Sequence, residues 1–297
     1  MQIGRLRELG RKRPFVVVDG DAVTVDHLIE DWTRAELERG ALDTVRDVDL
    51  SERPRTTLRD LHLAAPINRP GKVVCVGLNY AQHAAEIGAA HPAEPIIFMK
   101  SPDAVVGPRE DVVIPPGSER TDYEAELAIV IGSRALYLDS PASAGKHVLG
   151  YSVSQDISER AWQMERGGQW VKGKSFPTFN PIGPVVVTPE EFDPADARVW
   201  CSVDGEMRQE SRTSDMIFPV DHLVWYVSQF MELRAGDIIN TGTPGGVGMG
   251  MDPPGYLCPG QELRTGIEGI GELVSSVLGA GRPAPSPREL LRDEVDR

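Results

Sequence analysis

Short apolar runs separated by glycine and proline dominate the chain from residue 72 onward. Runs such as KVVCVGL, PIIFMK, AELAIVIG, GPVVVT and DIINTG have the length of single β-strands, and the turn-forming residues between them mark the strand ends. One segment after Pro219 has apolar side chains at helical spacing instead, which predicts a helix with this proline in its first turn. The apolar face of that helix comprises Leu223, Val224, Val227, Phe230 and Met231. The pattern predicts an α+β fold that is mostly β-structure.

The first 68 residues have a different pattern. The segment PFVVVDGDAVTV predicts short strands, and an amphipathic helix is expected over residues 25–37. We interpret residues 1–68 as a small N-terminal α/β domain and residues 69–280 as the main domain. Residues 281–297 are rich in proline, arginine and aspartate and are expected to form a mobile C-terminal tail.

Two carboxylates, Glu124 and Glu126, stand at the start of the apolar strand AELAIVIG. Because side chains alternate across a strand, both point the same way and repel each other unless a cation lies between them. This spacing fits either a divalent metal site or a strand end exposed to water. Asp156, at the end of the strand candidate GYSVSQD, is either a third ligand or an N-cap for the segment beginning at Ile157. Three carboxylates without a nearby histidine or cysteine would select a hard cation such as Mg²⁺ or Mn²⁺ rather than zinc.

A helix predicted over residues 80–86 carries His83 and Glu86 on one face. A histidine oriented by a carboxylate is a competent general base, although solvated surface pairs of this kind are common. In WVKGKSFPTF, Lys172 and Lys174 fall in a predicted loop, where a lysine either stabilises a developing enolate or is simply exposed. The segment NTGTPGGVGMG is either an ordinary turn or a loop whose backbone N–H groups face an anion.

The composition of the chain disfavours several classes of protein. The chain has 31 basic and 45 acidic residues and a net charge of -14, which disfavours binding to nucleic acid or to an anionic membrane surface. The N-terminal segment MQIGRLRELGRKRP has no apolar stretch after its basic residues, so neither a secretory signal nor a transmembrane helix is expected. Cys75, Cys201 and Cys258 are widely spaced and odd in number, which argues against a disulfide framework. We therefore expect a cytoplasmic protein with reduced thiols.

Six of these segments occur in one order: GLNYAQHAAE, PIIFMKSPDAVVGP, RTDYEAELAIVIG, GYSVSQDIS, KGKSFPTFNPIGP and NTGTPGGVG. In this order and spacing, residues 72–273 resemble the fumarylacetoacetate hydrolase family, and most closely its bacterial hydrolases of acylpyruvates and diketo sugar acids. The resemblance implies a catalytic domain in which mixed, curved β-sheets form a roll or sandwich around a cleft. It also implies assembly as a homodimer.

The resemblance assigns roles to individual residues. It implies that the protein binds Mg²⁺ or Mn²⁺, with Ca²⁺ as an alternative occupant in crystals. The implied metal ligands are Glu124, Glu126 and Asp156. It further implies that His83 and Glu86 activate a water molecule and that Lys174 contacts the substrate or its enolate. The residues expected to bind or orient the substrate are Tyr80, Arg160, Gln163 and Thr243.

The implied reaction is metal-dependent hydrolysis of a C–C bond in a β-diketo acid, of the acylpyruvate or 2,4-diketo acid type, to give pyruvate and a carboxylic acid. The same family platform also supports decarboxylation of oxaloacetate-type acids and isomerisation or hydration of unsaturated 2-oxo dicarboxylates. The presence of both His83 and Glu86 favours hydrolysis, because hydrolysis needs a base for water. A non-catalytic binding protein is disfavoured, since it would have no reason to keep three acids in one cleft. We therefore expect a small-molecule substrate and neither a nucleic-acid nor a membrane partner.

Overall fold

The computed structural model describes residues 1–8, 11–86 and 88–281. From residue 282 on, the predicted mobile tail lies outside the described residues. The described strands are β1 Gln2–Glu8, β2 Arg11–Val18, β3 Asp21–Thr24, β4 Thr56–Thr57, β5 Leu63–Ala64, β6 Val73–Gly77, β7 Ile96–Lys100, β8 Val105–Val106, β9 Val112–Ile114, β10 Thr121–Asp122, β11 Ala125–Ile131, β12 Val148–Gln155, β13 Ser158–Glu159, β14 Asn180–Val187, β15 Arg198–Val203, β16 Glu206–Arg212, β17 Ile238–Asn240, β18 Glu262–Ile267 and β19 Gly271–Gly279. The described α-helices are α1 Arg34–Glu38, α2 Ala41–Arg46, α3 Ala81–Glu86, α4 Arg160–Met164, α5 Val171–Lys174 and α6 Val220–Ser228.

Two β-sheets form the body of the molecule. The larger one has the strand order β4-β3-β2-β1-β14-β12-β11-β17-β6-β7, with β5 beside β1 and β8 beside β14. It is mixed, because β17 and β6 are parallel whereas β11 is antiparallel to both of its neighbours. The second sheet has the order β16-β15-β18-β19-β9. One hydrophobic core joins the two sheets and contains Leu127 and Ile129 of β11 together with Val199 of β15 and Leu263 of β18. The predicted α+β, mostly β fold with mixed sheets in a sandwich is confirmed.

The N-terminal strands belong to the larger sheet. β1 pairs antiparallel with β14, with Gln2 opposite Val187 and Ile3 opposite Val186. The sheet is therefore continuous from residue 2 into the part of the chain beyond residue 68. The domain boundaries proposed from the sequence stay a prediction.

The helix predicted over residues 25–37 is wrong for most of its length, because α1 begins only at Arg34. Asp31 is engaged in other contacts, which accounts for the interruption. Its carboxylate accepts a 2.8 Å hydrogen bond from the Trp32 backbone N–H and a 2.7 Å hydrogen bond from Arg5 Nε. An aspartate used in this way favours a turn over a helix interior.

The helix predicted after Pro219 is present as α6, but Pro219 is its N-cap rather than a first-turn residue, and the helix ends at Ser228. Phe230 and Met231 therefore lie beyond the helix, and Phe230 is 54% exposed instead of continuing the buried face. No helix in the described ranges combines the length and the apolar character that crossing a bilayer would require.

Several strand ends meet at one end of the larger sheet and position the candidate site. β11 begins where β12 ends, since Ala125 pairs with Gln155, and the Asp156 N–H donates to the Glu124 carbonyl at 2.9 Å. β6 and β17 run parallel to each other and antiparallel to β11, so both end beside the start of β11. The segments after these strands, including the glycine-rich segment 240–250, therefore reach the same place.

Candidate metal centre and active site

Three carboxylates form a buried cluster at this end of the sheet. One oxygen atom from each of Glu124, Glu126 and Asp156 lies within 4.8 Å of the other two. The three residues are 6%, 1% and 0% exposed, respectively, so the interpretation of a strand end exposed to water is wrong. Asp156 is also not a helix cap, because the side chain that caps α4 belongs to Glu159.

Three cationic side chains contact this cluster. Lys174 Nζ lies 2.5 Å from Glu124 Oε2 and 2.9 Å from Asp156 Oδ2. Lys100 Nζ pairs with the other oxygen of Asp156, and Arg160 Nη1 lies 2.7 Å from Glu124 Oε1. Burial alone would raise the pKa of Glu124, but the charges of Lys174 and Arg160 outweigh burial and hold that pKa well below its usual range.

Glu126 has a different environment from the other two carboxylates. It accepts a 2.9 Å hydrogen bond from the Gly242 N–H, and no lysine or arginine in the described part of the chain forms an ion pair with it. Burial, together with the charges of Asp156 and Glu124, raises the pKa of Glu126 well above its usual range. A divalent cation among the three carboxylates would balance this buried negative charge. The all-oxygen donor set fits a hard ion such as Mg²⁺ or Mn²⁺.

A histidine–carboxylate pair stands beside the cluster. His83 Nδ1 lies 3.1 Å from Glu86 Oε2, and both residues belong to α3. His83 is only 7% exposed and Glu86 is exposed, so the histidine of the pair is buried while its carboxylate partner lies at the surface. Because Glu86 engages Nδ1, Nε2 is the ring nitrogen that is available to water or substrate.

Carboxylates of the site hold the glycine-rich segment 240–250. Gly246 donates its backbone N–H to Glu86 Oε1 at 2.8 Å. The N–H groups of Gly248 and Met249 donate to Asp122 at 2.7 and 3.0 Å. The N–H groups of this segment thus face anions, as one interpretation of the sequence expected, but the anions are side chains of the same protein.

A cavity of about 160 Å³ opens beside these groups. Most of the site residues predicted from the sequence line it: His83, Glu124, Glu126, Arg160, Gln163, Lys174 and Thr243. Asp156 and Glu86 do not line it but contact residues that do, namely Lys174 and His83. Tyr80 is fully buried and lies outside the lining, and its contact with a substrate stays a prediction.

Lys174 is the buried member of the two candidate lysines, and Lys172 is exposed. Both belong to α5, so the loop predicted for this segment is wrong. The close approach of α5 to α4 depends on Gly173, because a Cβ there would lie 2.5 Å from the Glu159 carbonyl oxygen and 2.6 Å from Gln163 N. This glycine therefore brings Lys174 to the cluster.

Four buried polar residues of the site were not identified from the sequence: Lys100, Asp122, Gln155 and Gln209. Gln209 Oε1 accepts from the Ala125 N–H at 2.9 Å, and its Nε2 donates to Thr243 Oγ1 and the Pro244 carbonyl at 2.8 and 2.9 Å. For Lys100 the sequence contained one indication of a role in the site, namely a lysine at the end of the apolar strand PIIFMK. For Gln209 the sequence contained no such indication, because the segment EMRQESR has the composition of an exposed strand.

Comparison with known proteins supports the same assignment. The family model "Fumarylacetoacetate (FAA) hydrolase C-terminal" matches residues 72–278. The chain is 44% identical over 246 residues to a mitochondrial oxaloacetate tautomerase of Bos taurus, a match that covers 82% of this chain and 78% of the relative.

Two solved structures extend the comparison. A fumarylacetoacetate hydrolase from Exiguobacterium antarcticum is 40% identical, with a TM-score of 0.84 over 94% of this chain and 100% of that one. A maleylpyruvate hydrolase from Sphingobium sp. SYK-6, solved in complex with manganese(II) and pyruvate, is 26% identical, with a TM-score of 0.76 over 94% of this chain and 100% of that one. The sequence match, the fold and the carboxylate cluster agree, and the chain belongs to the fumarylacetoacetate hydrolase family.

Proposed function

We propose that the protein is a Mg²⁺- or Mn²⁺-dependent hydrolase that cleaves a C–C bond in a β-diketo acid of the acylpyruvate type, giving pyruvate and a carboxylic acid. The observation that carries this proposal is the position of His83, with Nδ1 held by Glu86, in the same cavity as the carboxylate cluster. Hydrolysis needs both a base for water and a site that polarises the diketo acid.

In this proposal Glu124, Glu126 and Asp156 hold the metal ion. When bound, the ion supplies Lewis acidity to the oxygens of the 2-oxo acid. Lys174 and Lys100 orient Asp156 through their contacts with its two oxygens.

The remaining chemistry belongs to side chains of the protein. His83 Nε2 takes a proton from water while Glu86 stabilises the imidazolium through Nδ1. The hydroxide adds to the distal acyl carbon, and the C–C bond breaks with its electron pair left on the pyruvate enolate. The imidazolium then returns its proton to the methylene carbon, which yields pyruvate and leaves the carboxylic acid from the acyl group.

Lys174 and Thr243 are assigned to the substrate. Lys174 Nζ is close to the cluster and favours the negative charge that develops on the enolate. The Thr243 hydroxyl accepts its hydrogen bond from Gln209, so its own proton is available to a substrate carboxylate.

The test is a cleavage assay with acetylpyruvate and Mn²⁺, in which pyruvate and acetate are quantified together by NMR. We expect pyruvate and acetate to form in equal amounts. We expect neither product to form in the presence of EDTA. Failure of the Mn²⁺-loaded protein to release pyruvate from any acylpyruvate would refute the hydrolase.

A second candidate is keto–enol tautomerisation of oxaloacetate, which the activity named for the Bos taurus relative favours. This reaction moves one proton between carbon and oxygen and needs no water. The two candidates are separated by following the enol absorbance of oxaloacetate: a tautomerase accelerates its decay without forming pyruvate. Fast enol decay in the absence of any acylpyruvate cleavage would select this candidate.

A further inference from the structure

The cavity has an apolar side that the proposed chemistry does not use. Val76, Phe98, Trp170 and Met164 line it, and we call them the apolar wall. The Phe98 and Trp170 rings meet edge to face with their centroids 5.3 Å apart. Val76 and Phe98 are buried, whereas Met164 is 54% exposed, so the wall extends from the interior to the solvent.

Close packing against the sheet holds Trp170 in place. A Cβ at Gly77 would lie 2.7 Å from Trp170 Cζ3, so the indole lies directly on the backbone at the end of β6. The Trp170 part of the apolar wall is thus fixed in position by packing, because a larger residue at position 77 would displace the ring.

The cationic side chains that line the cavity are already paired. Lys174 contacts Glu124 and Asp156, as described above. Arg160 donates from Nε to Asp122 at 2.9 Å and from Nη1 to Gln163 Oε1 at 3.0 Å. Its Nη2 makes no hydrogen bond but is buried in an ion pair, 2.8 Å from Asp122 Oδ2. Among the described lining residues, His83 is the other group that can carry a positive charge, and it is assigned as the base. Lys174 Nζ lies 5.0 Å from the centroid of the Phe98 ring, so the cation nearest the wall is at its Phe98 end and is already engaged by the carboxylate cluster. A second carboxylate that extended past Phe98 to Trp170 and Met164 would have no cationic partner among the described lining residues, which is unfavourable.

We propose that the apolar wall receives an uncharged, apolar acyl group, so that the substrate is a monocarboxylic acylpyruvate rather than a dicarboxylic one. This inference rests on the proposed function, in which the 2-oxo acid end of the substrate lies at the carboxylate cluster. The acyl substituent then extends along Phe98 and Trp170 toward Met164. Each added methylene of that substituent removes apolar surface from water and strengthens binding.

Binding of uncleavable 2-oxo acids tests the wall without relying on turnover. The Mn²⁺-loaded protein is titrated calorimetrically with 2-oxobutanoate, 2-oxopentanoate, 2-oxohexanoate and 2-oxoglutarate. We expect affinity to rise about threefold to fourfold with each methylene of the monoacids. We expect 2-oxoglutarate, whose second carboxylate meets the wall, to bind at least about tenfold more weakly than 2-oxohexanoate.

A charge introduced at the wall provides the second measurement. Met164→Arg places a cation at an exposed lining position, so it should strengthen 2-oxoglutarate binding about tenfold and weaken 2-oxohexanoate binding. Met207→Arg is the matched control, since Met207 is 48% exposed and does not line the cavity. The control variant should bind every probe as the natural protein does.

The inference is overturned if 2-oxoglutarate binds as tightly as 2-oxohexanoate, if chain length has no effect, or if none of the probes binds. Its failure is separable from failure of the hydrolase. Preference for apolar probes without acylpyruvate cleavage supports the wall and refutes the hydrolase, whereas cleavage combined with preference for 2-oxoglutarate refutes the wall alone.

Discussion

Gly246 donates its backbone N–H to Glu86 Oε1 at 2.8 Å, while Glu86 Oε2 lies 3.1 Å from His83 Nδ1. The glycine-rich segment therefore fixes the carboxylate that orients the candidate base. Gly246 has a φ of +95°, and a Cβ there would lie 2.0 Å from the Arg208 carbonyl oxygen. Only glycine fits both the backbone conformation and the available space.

Substitution of this glycine is expected to impair catalysis. Gly246→Ala should shift the segment away from Arg208, release Glu86 and lower kcat for acylpyruvate cleavage by about tenfold or more. Gly260→Ala is the matched control, because Gly260 has the same φ of +95° but no atom within 4 Å of an added Cβ. The control should lose about 1 kcal/mol of unfolding free energy and keep its kcat. Equal kcat values for the two variants would contradict the role of Gly246.

Removal of the metal ion is expected to lower stability. Mn²⁺ at a concentration 100 times its Kd should add about 2.7 kcal/mol to the free energy of unfolding, because it binds the folded state. Denaturant titration with Mn²⁺ and with EDTA measures this difference. Glu126→Gln should abolish the difference, whereas Glu119→Gln, which removes an equal charge at an exposed site, should retain it. An undiminished difference in the Glu126 variant would exclude that residue as a ligand.

Loss of the base should separate catalysis from metal binding. His83→Gln is expected to lower the cleavage rate by about 10²- to 10⁴-fold, because general base catalysis contributes a factor of this size. The Mn²⁺-dependent gain in stability should persist, since His83 is not among the three clustered carboxylates. His91→Gln, at an exposed position, is the control and should behave as the natural protein. Rapid cleavage by the His83 variant would rule out its role as base.

Gln209 is expected to position both Thr243 and the strand that carries the carboxylates. Gln209→Leu removes three buried hydrogen bonds, to the Ala125 N–H, to Thr243 Oγ1 and to the Pro244 carbonyl. We expect a loss of about 1–3 kcal/mol of unfolding free energy from the buried groups left unpaired, together with weaker Mn²⁺ binding and a higher KM. Gln169→Leu, at an exposed position, controls for the change in composition. A stability loss without any change in Kd or KM would make Gln209 purely structural.

The sequence by itself determined the features that depend on local periodicity. The alternation of side chains in a strand predicts Glu124 and Glu126 on one side, and both do join one cluster although β11 begins only at Ala125. Helical spacing puts His83 beside Glu86. The apolar runs and their turn residues likewise predicted a mostly β fold. These inferences hold because each depends on residues only a few positions apart.

Tertiary structure alone decided which distant residues share the site. The pairing of β11 with β12 brings Asp156 to Glu124, and the path of β7 brings Lys100 to Asp156. The tertiary structure also places Tyr80 outside the cavity. It buries Gln209, whose side chain donates a hydrogen bond to Thr243. Strand order and register set these contacts, and side-chain periodicity along one segment carries no information about them.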